Sequence, residues 1–161
     1  RRPTSSRSGA RLAAPAGRSD MPTHVDTPRL IRGILGWPWL WPVVRLALVS
    51  AFLIGGVTKL LDFSGAIAEQ EHFALRPGWL WASLAIIVEL GGSALVLAGR
   101  WVWFGAGGLG VLTAVAMLTA NNFWALDGHP RFMALNAFFE HLGLIAGLIL
   151  VAMIASKNRP A

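Results

Sequence analysis

The sequence predicts an all-α integral membrane four-helix bundle, and three observations carry that expectation. Of its 161 residues 55% are hydrophobic and 14% charged, against about 25% charge in a typical soluble domain, and the mean hydropathy is +0.56. Four stretches, 43–61, 80–99, 101–126 and 134–155, reach the ~20 mostly apolar residues that a helix needs to cross the hydrocarbon core. All eight tryptophans fall at the boundaries of those stretches, where an indole keeps its ring half buried and its N–H wet.

Residues 1–42 precede the first span and read as a disordered basic arm followed by an interfacial lead-in. The opening RRPTSSRSGARLAAPAGRSD is biased to Arg, Ser, Ala, Gly and Pro, a composition that cannot bury enough apolar surface to fold. Met21 offers a second start, and the favoured reading takes residues 1–20 as a misassigned beginning; a basic arm touching anionic headgroups is the alternative. Arg, Pro and Gly continue to Pro42, so no secretory signal with a short apolar run and cleavage site is visible.

Orientation follows from the basic residues, which stay on the cytoplasmic side. Arg29 and Arg32 precede the first span with five more Arg upstream, Arg100 sits between spans two and three, and Lys157 and Arg159 follow span four. The opposite loops hold only Arg76 and Arg131, outweighed by Asp62, Glu69, Glu71 and Asp127. Both termini are therefore expected in the cytoplasm, in a multi-pass membrane protein whose tail is 156–161. The net charge of +6 is this asymmetry rather than a nucleic-acid surface, because no basic stripe is interleaved with aromatics in a soluble module.

Between spans one and two, SGAIAEQEHFALRPG is too polar to cross the membrane and too apolar for a plain linker. Two readings are open. One is a short helix on the outer surface, with Ala66, Ile67, Phe73 and Leu75 toward lipid and Glu69, Gln70 and His72 toward water; the other is an ordinary loop.

The chain has no cysteine, which removes disulfides, thiol chemistry and Cys-ligated centres. Of its four histidines only His141 falls inside a span, so the chain cannot supply by itself the pair of axial ligands a membrane b-type haem requires. No metal site, phosphate loop or nucleophile elbow is present, and no covalently bound cofactor is expected.

Charged groups inside spans are costly unless they pair, face protein or reach the interface. On span one Arg45, Phe52 and Lys59 share a face beside Gly55 and Gly56; on span two Ala85, Glu89, Gly92 and Ser93 do; on span four Asn136, Glu140, Gly143 and Gly147 do. These stripes of small and polar residues are expected to point inward. By a rise of about 1.5 Å per residue, Arg45 lies near the cytoplasmic end and Glu89 near the midplane. Lys59, Asn121, Asn122, Glu140 and His141 lie in the outer half.

The structural reading of these groups is interhelical glue: Lys59 with Glu140, and Glu89 with Arg45 or protonated and hydrogen-bonded, each bond contributing about 0.6 kcal/mol. Arg45 alone reaches the headgroups by snorkelling, and Asn121 and Asn122 suit helix ends better than ligands. The functional reading is a site formed by Lys59, Asn121, Asn122, Glu140 and His141, with Glu89 beneath it. That reading takes in a redox-linked or small amphipathic ligand; for a quinone, Lys59 or His141 could serve its carbonyls, Glu140 proton exchange, and Phe123, Trp124, Phe138 and Phe139 could be flat walls.

Arg45, then FLIGGVTKLLDFSG, VELGGSALVLAGR, NNFW and FFEHLGLIAGLILVA, resembles the DoxX family of small four-helix bacterial membrane proteins. Its members commonly show an Arg early in helix one, an SG-x-x-K-like turn before a DF pair, and an E-x-x-G-x-x-L pattern in helix two. Arg45, Lys59, Asp62, Phe63, Glu89 and Gly92 match those positions, with GG in place of SG, and the resemblance runs in order over residues 43–155. It implies an inner-membrane protein linked to quinone-dependent sulfur oxidation or to membrane oxidoreductase complexes, at most one subunit of such an enzyme, and supplies no catalytic residues. A small-molecule carrier or permease-like subunit and a purely structural assembly factor are the alternatives.

Overall fold

The computed structural model describes residues 28–157; the expectations for the basic arm at 1–27 and for 158–161 lie outside the described residues. The described chain is helical, in the order α1 (Arg29–Leu35), α2 (Leu40–Leu61), α3 (Phe63–His72), α4 (Gly78–Ala98), α5 (Val102–Ala120), a 3-10 turn (Phe123–Ala125) and α6 (Gly128–Lys157). Four helices, α2, α4, α5 with its 3-10 extension, and α6, are long and apolar enough to span a membrane. Their outward faces carry Ile54, Ile87, Val111 and Ile149, each more than half exposed, a surface that lipid rather than water solvates.

Local chemistry sets the helix ends. Pro42 lies in the first turn of α2 and Pro130 in the first turn of α6, where a missing N–H leaves no helical bond unmade. Helix α4 starts behind Pro77 and stops at Gly99, whose φ of 70° reverses the chain as a left-handed C-cap. A single residue, Asp62, separates α2 from α3 and serves both as the end of one and the cap of the other. Its carboxylate accepts from the Gly65 N–H at 2.9 Å and from the Ser64 hydroxyl at 3.0 Å. Those two donors, the amide foremost, hold the Asp62 carboxyl below the usual carboxylate range.

Two span limits differ from the sequence expectation by six residues, the others by three or fewer. Helix α5 ends at Ala120 instead of 126, because Asn121 and Asn122 break it into a 3-10 turn. Helix α6 begins at Gly128 instead of 134; its 30 residues extend for roughly 45 Å, so its polar first turns stand beyond the hydrocarbon that hydropathy detects. The interfacial lead-in holds α1, whose Leu30, Ile34 and Leu35 are exposed beside Trp37 and Trp39, the pattern of a short helix in the headgroup layer.

In the bundle α2 packs on α4, α4 on α5, and α5 on α6, while α3 folds back onto α4. Helices α4 and α5 approach closely because glycines face each other: a Cβ on Gly105 would stand 2.7 Å from the Gly92 carbonyl oxygen, and one on Gly92 3.1 Å from that of Gly105. Helix α6 touches α2 sparsely; Leu48 of α2 lies 3.0 Å from the position of a Cβ on Gly147. The apolar core of Val49, Phe52, Val96, Val102, Ala106, Leu109, Leu148 and Val151 fills the half of the bundle that contains Arg45. The half beneath α3 is more open, and the candidate site lies there.

Helix α3 settles the two readings of the first loop in favour of a helix, with one correction. Its apolar face is not turned to lipid: Ala66 is 4% exposed, and a Cβ on Gly78 of α4 would meet the Ile67 carbonyl at 2.8 Å and the Glu71 side chain at 2.7 Å. The one-residue junction at Asp62 turns the helix straight back onto α4, where protein covers the apolar stripe.

Candidate functional site

The site grows from an ion pair. Lys59, in the last turn of α2, donates from Nζ to Glu89 Oε1 at 3.0 Å and Oε2 at 3.4 Å. Glu89 is 8% exposed, and a buried charge of this kind is strongly destabilising unless it is paired. Gly55 makes room for the contact: a Cβ there would stand 3.4 Å from both Lys59 Nζ and Glu89 Oε2. Beside it a Cβ on Gly56 would meet Leu90 at 2.8 Å and Glu89 Cβ at 3.2 Å, so two adjacent glycines bring α2 close to the carboxylate.

A cavity of about 130 Å³ opens at this pair. Helix α3 and the turn after it contribute Glu69, Gln70, Phe73 and Leu75; α4 contributes Trp81, Leu84, Ala85 and Glu89; α5 contributes Leu112, Val115, Ala116, Thr119 and Ala120. The Thr119 hydroxyl donates to the Val115 carbonyl at 2.9 Å, which leaves its oxygen to accept. One wall is polar and charged, another is the indole of Trp81. Among the described residues no group of three or more potential metal ligands is present.

This geometry reassigns the partners expected from the sequence. Lys59 pairs with Glu89 and not with Glu140, and Glu89 pairs with Lys59 and not with Arg45. Arg45 lies at the opposite end of the bundle, its guanidinium 4.7 Å from the Trp41 ring centroid. Its Nη1 stands 2.8 Å from where a Cβ on Gly99 would be, so it fills the space under the α4–α5 turn. The helix order explains the change: α4 lies between α2 and α5, whereas α6 reaches α2 only near Leu48.

Of the five residues expected to converge, only Lys59 lines the cavity. Asn121 ends α5 and Asn122 starts the 3-10 turn. Glu140 is exposed on α6 and His141 is half buried. His141 Nδ1 donates to the Ala137 carbonyl at 2.6 Å. Phe123 and Phe138 do meet, edge to face at 5.3 Å, but they join the 3-10 turn to α6 and stand apart from the cavity. The α6 stripe divides: Asn136, Glu140 and Gly143 are exposed and a Cβ on Gly143 would meet nothing within 4 Å, whereas Gly147 packs against Leu48 of α2 as expected.

Sequence reasoning missed Gln70, Phe73, Trp81 and Thr119. Trp81 read as a belt tryptophan, and only its position two residues after the exposed Trp79 hinted that the two indoles face different ways. The α3 residues became part of the site through the fold-back onto α4, which no local pattern announces.

No curated protein and no solved structure matches the chain. The DoxX family model matches residues 40–122, a stretch that runs from the start of α2 through α5 and includes Arg45, Lys59 and Glu89. By that match the chain belongs to the DoxX family.

Proposed function

We propose that this protein is a quinone-interacting, non-catalytic subunit of an oxidoreductase assembly in the bacterial inner membrane, with both termini in the cytoplasm and α3 on the outer side. The observation that carries this reading is the meeting of the Lys59–Glu89 pair with the Trp81 and Phe73 rings in one cavity of about 130 Å³. An engineered dry cavity of about 150 Å³ accepts benzene, so the size suits one six-membered ring. An ammonium carries three donors; with Glu89 holding Lys59 in place, a further donor is free for a quinone carbonyl. Gln70 offers amide donors for the other oxygen.

The orientation rests on charge. Arg29, Arg32, Arg100 and Lys157 gather at the Arg45 end, whereas Asp62, Glu69, Glu71 and Asp127 outweigh Arg76 and Arg131 at the α3 end. Membership of an assembly rests on α6, where Asn136 and Glu140 are exposed within an apolar helix and need a partner helix to cover them.

The test is equilibrium binding of a chainless, fully substituted benzoquinone to the purified full-length protein, read by tryptophan quenching. Saturable binding that disappears in the Lys59→Met, Glu89→Leu double variant supports the reading. Absence of saturable binding to the wild type reduces the pair to interhelical glue. Transport into proteoliposomes containing this chain alone would instead favour a carrier.

A further inference from the structure

The polar cavity does not end at Trp81. Four of its lining residues, Trp81, Leu84, Leu112 and Val115, also line a second, larger space of about 470 Å³ on the outer surface of α4 and α5. From there the groove continues past Val88, Gly107, Gly108 and Val111 to Trp103 and Phe104 at the other end of the bundle. Val115 and Trp103 are twelve residues apart on α5, roughly 18 Å along the axis. Every residue along it is apolar, aromatic or glycine. Two glycines make its floor: a Cβ on Gly107 would meet nothing within 4 Å, and one on Gly108 only Val88 at 3.6 Å.

A compact polar head cavity that runs through shared walls into a long apolar channel has the shape of a ligand with one ring and one chain. We propose that the α4–α5 groove binds the single apolar chain of the quinone whose ring occupies the Lys59–Glu89 cavity, and that this ligand enters sideways from the lipid between α4 and α5. The inference rests on the quinone reading of the cavity. It commits the ligand to a prenyl-type chain, because the groove is apolar along its whole length and joins the head cavity at Trp81. A phospholipid would bring two chains and a charged headgroup to the polar surface, at the wrong end of a groove whose polar terminus lies inside the bundle.

The test compares two probes on the full-length protein in detergent, a chainless substituted benzoquinone and the same ring bearing a decyl chain, across wild type, Gly107→Phe and Val111→Phe. Both substitutions add bulk to the groove from open or exposed positions and leave the head cavity untouched. The expected result is that each variant binds the decyl probe about ten-fold more weakly than wild type, equivalent to about 1.4 kcal/mol, while the chainless probe binds all three proteins alike. Comparing one probe across proteins cancels its partition into detergent. Unchanged decyl binding in both variants overturns the groove assignment and leaves the head site standing. Failure of the chainless probe to bind wild type overturns the quinone reading itself, and the groove assignment with it.

Discussion

Lys59 Nζ stands 3.0 Å from Glu89 Oε1 across the α2–α4 interface, joining residues 30 apart in the chain. Each charge is the other's ion-pair partner within the spans, and side-chain exposures of 19% and 11% keep the pair largely away from bulk solvent. The pair is therefore an energetic unit: either charge left alone in the bundle is far more costly than both absent.

Single removal should show this cost directly. Lys59→Met or Glu89→Leu is expected to destabilise the protein by about 3–5 kcal/mol, and the double variant to recover most of that loss. Denaturant titration followed by circular dichroism in detergent checks the ordering. Membrane insertion of Glu89→Leu should be unchanged, because removing a charge makes the span more apolar.

The glycines of the two interfaces should differ in tolerance. Gly105→Ala directs its methyl at the Gly92 carbonyl, 2.7 Å away, where backbone has to move; a cost of about 1–3 kcal/mol is expected. Gly55→Ala meets the ion pair at 3.4 Å, ordinary contact, and should be close to neutral in the same titration.

Asp62 gives a pH dependence of known sign. Its folded carboxyl is held below the ordinary range by the Gly65 amide and the Ser64 hydroxyl, so its support of α3 is complete above the unfolded carboxylate range and disappears as pH falls through the folded value. Hydrogen exchange at Gly65 and Ala66 should accelerate, relative to the intrinsic rate, over that acidic window. In Asp62→Asn the window should vanish.

Glu140→Gln with His141→Ala should leave quinone binding intact, since neither residue lines the cavity. Isothermal titration with the chainless benzoquinone checks this against Glu89→Gln, for which loss of binding is expected. The same α6 variant should weaken retention of partner subunits, because Glu140 lies on the open face.

The spans were legible because lipid imposes length and hydropathy on every helix, and Trp, Arg and Glu positions then marked the boundaries. Polar groups in a span were equally legible as groups needing partners, and Gly55, Gly56 and Gly92 did mark faces of close approach. Which partner each charge takes was not, since that depends on helix order. With α4 between α2 and α5, Lys59 meets Glu89, and Arg45 is left to Trp41 and Gly99. The outer part of the α6 stripe misled for a related reason: small and polar residues mark a packing face, and Gly147 does meet Leu48, but Gly143 and Glu140 face away from this chain's own helices. The contribution of α3 depended on the turn at Asp62, a tertiary event that the pattern of residues 64–78 does not encode.

Native mass spectrometry of the protein extracted from its own membrane tests the quinone site most directly, scoring bound quinone and partner subunits together. Quinone is expected on the wild type and on the Glu140→Gln, His141→Ala variant, and absent from the Lys59→Met, Glu89→Leu variant. A wild type that carries partner subunits without quinone, or a Lys59→Met, Glu89→Leu variant that keeps quinone at the wild-type level, would contradict the assignment of the Lys59–Glu89 cavity as the quinone site.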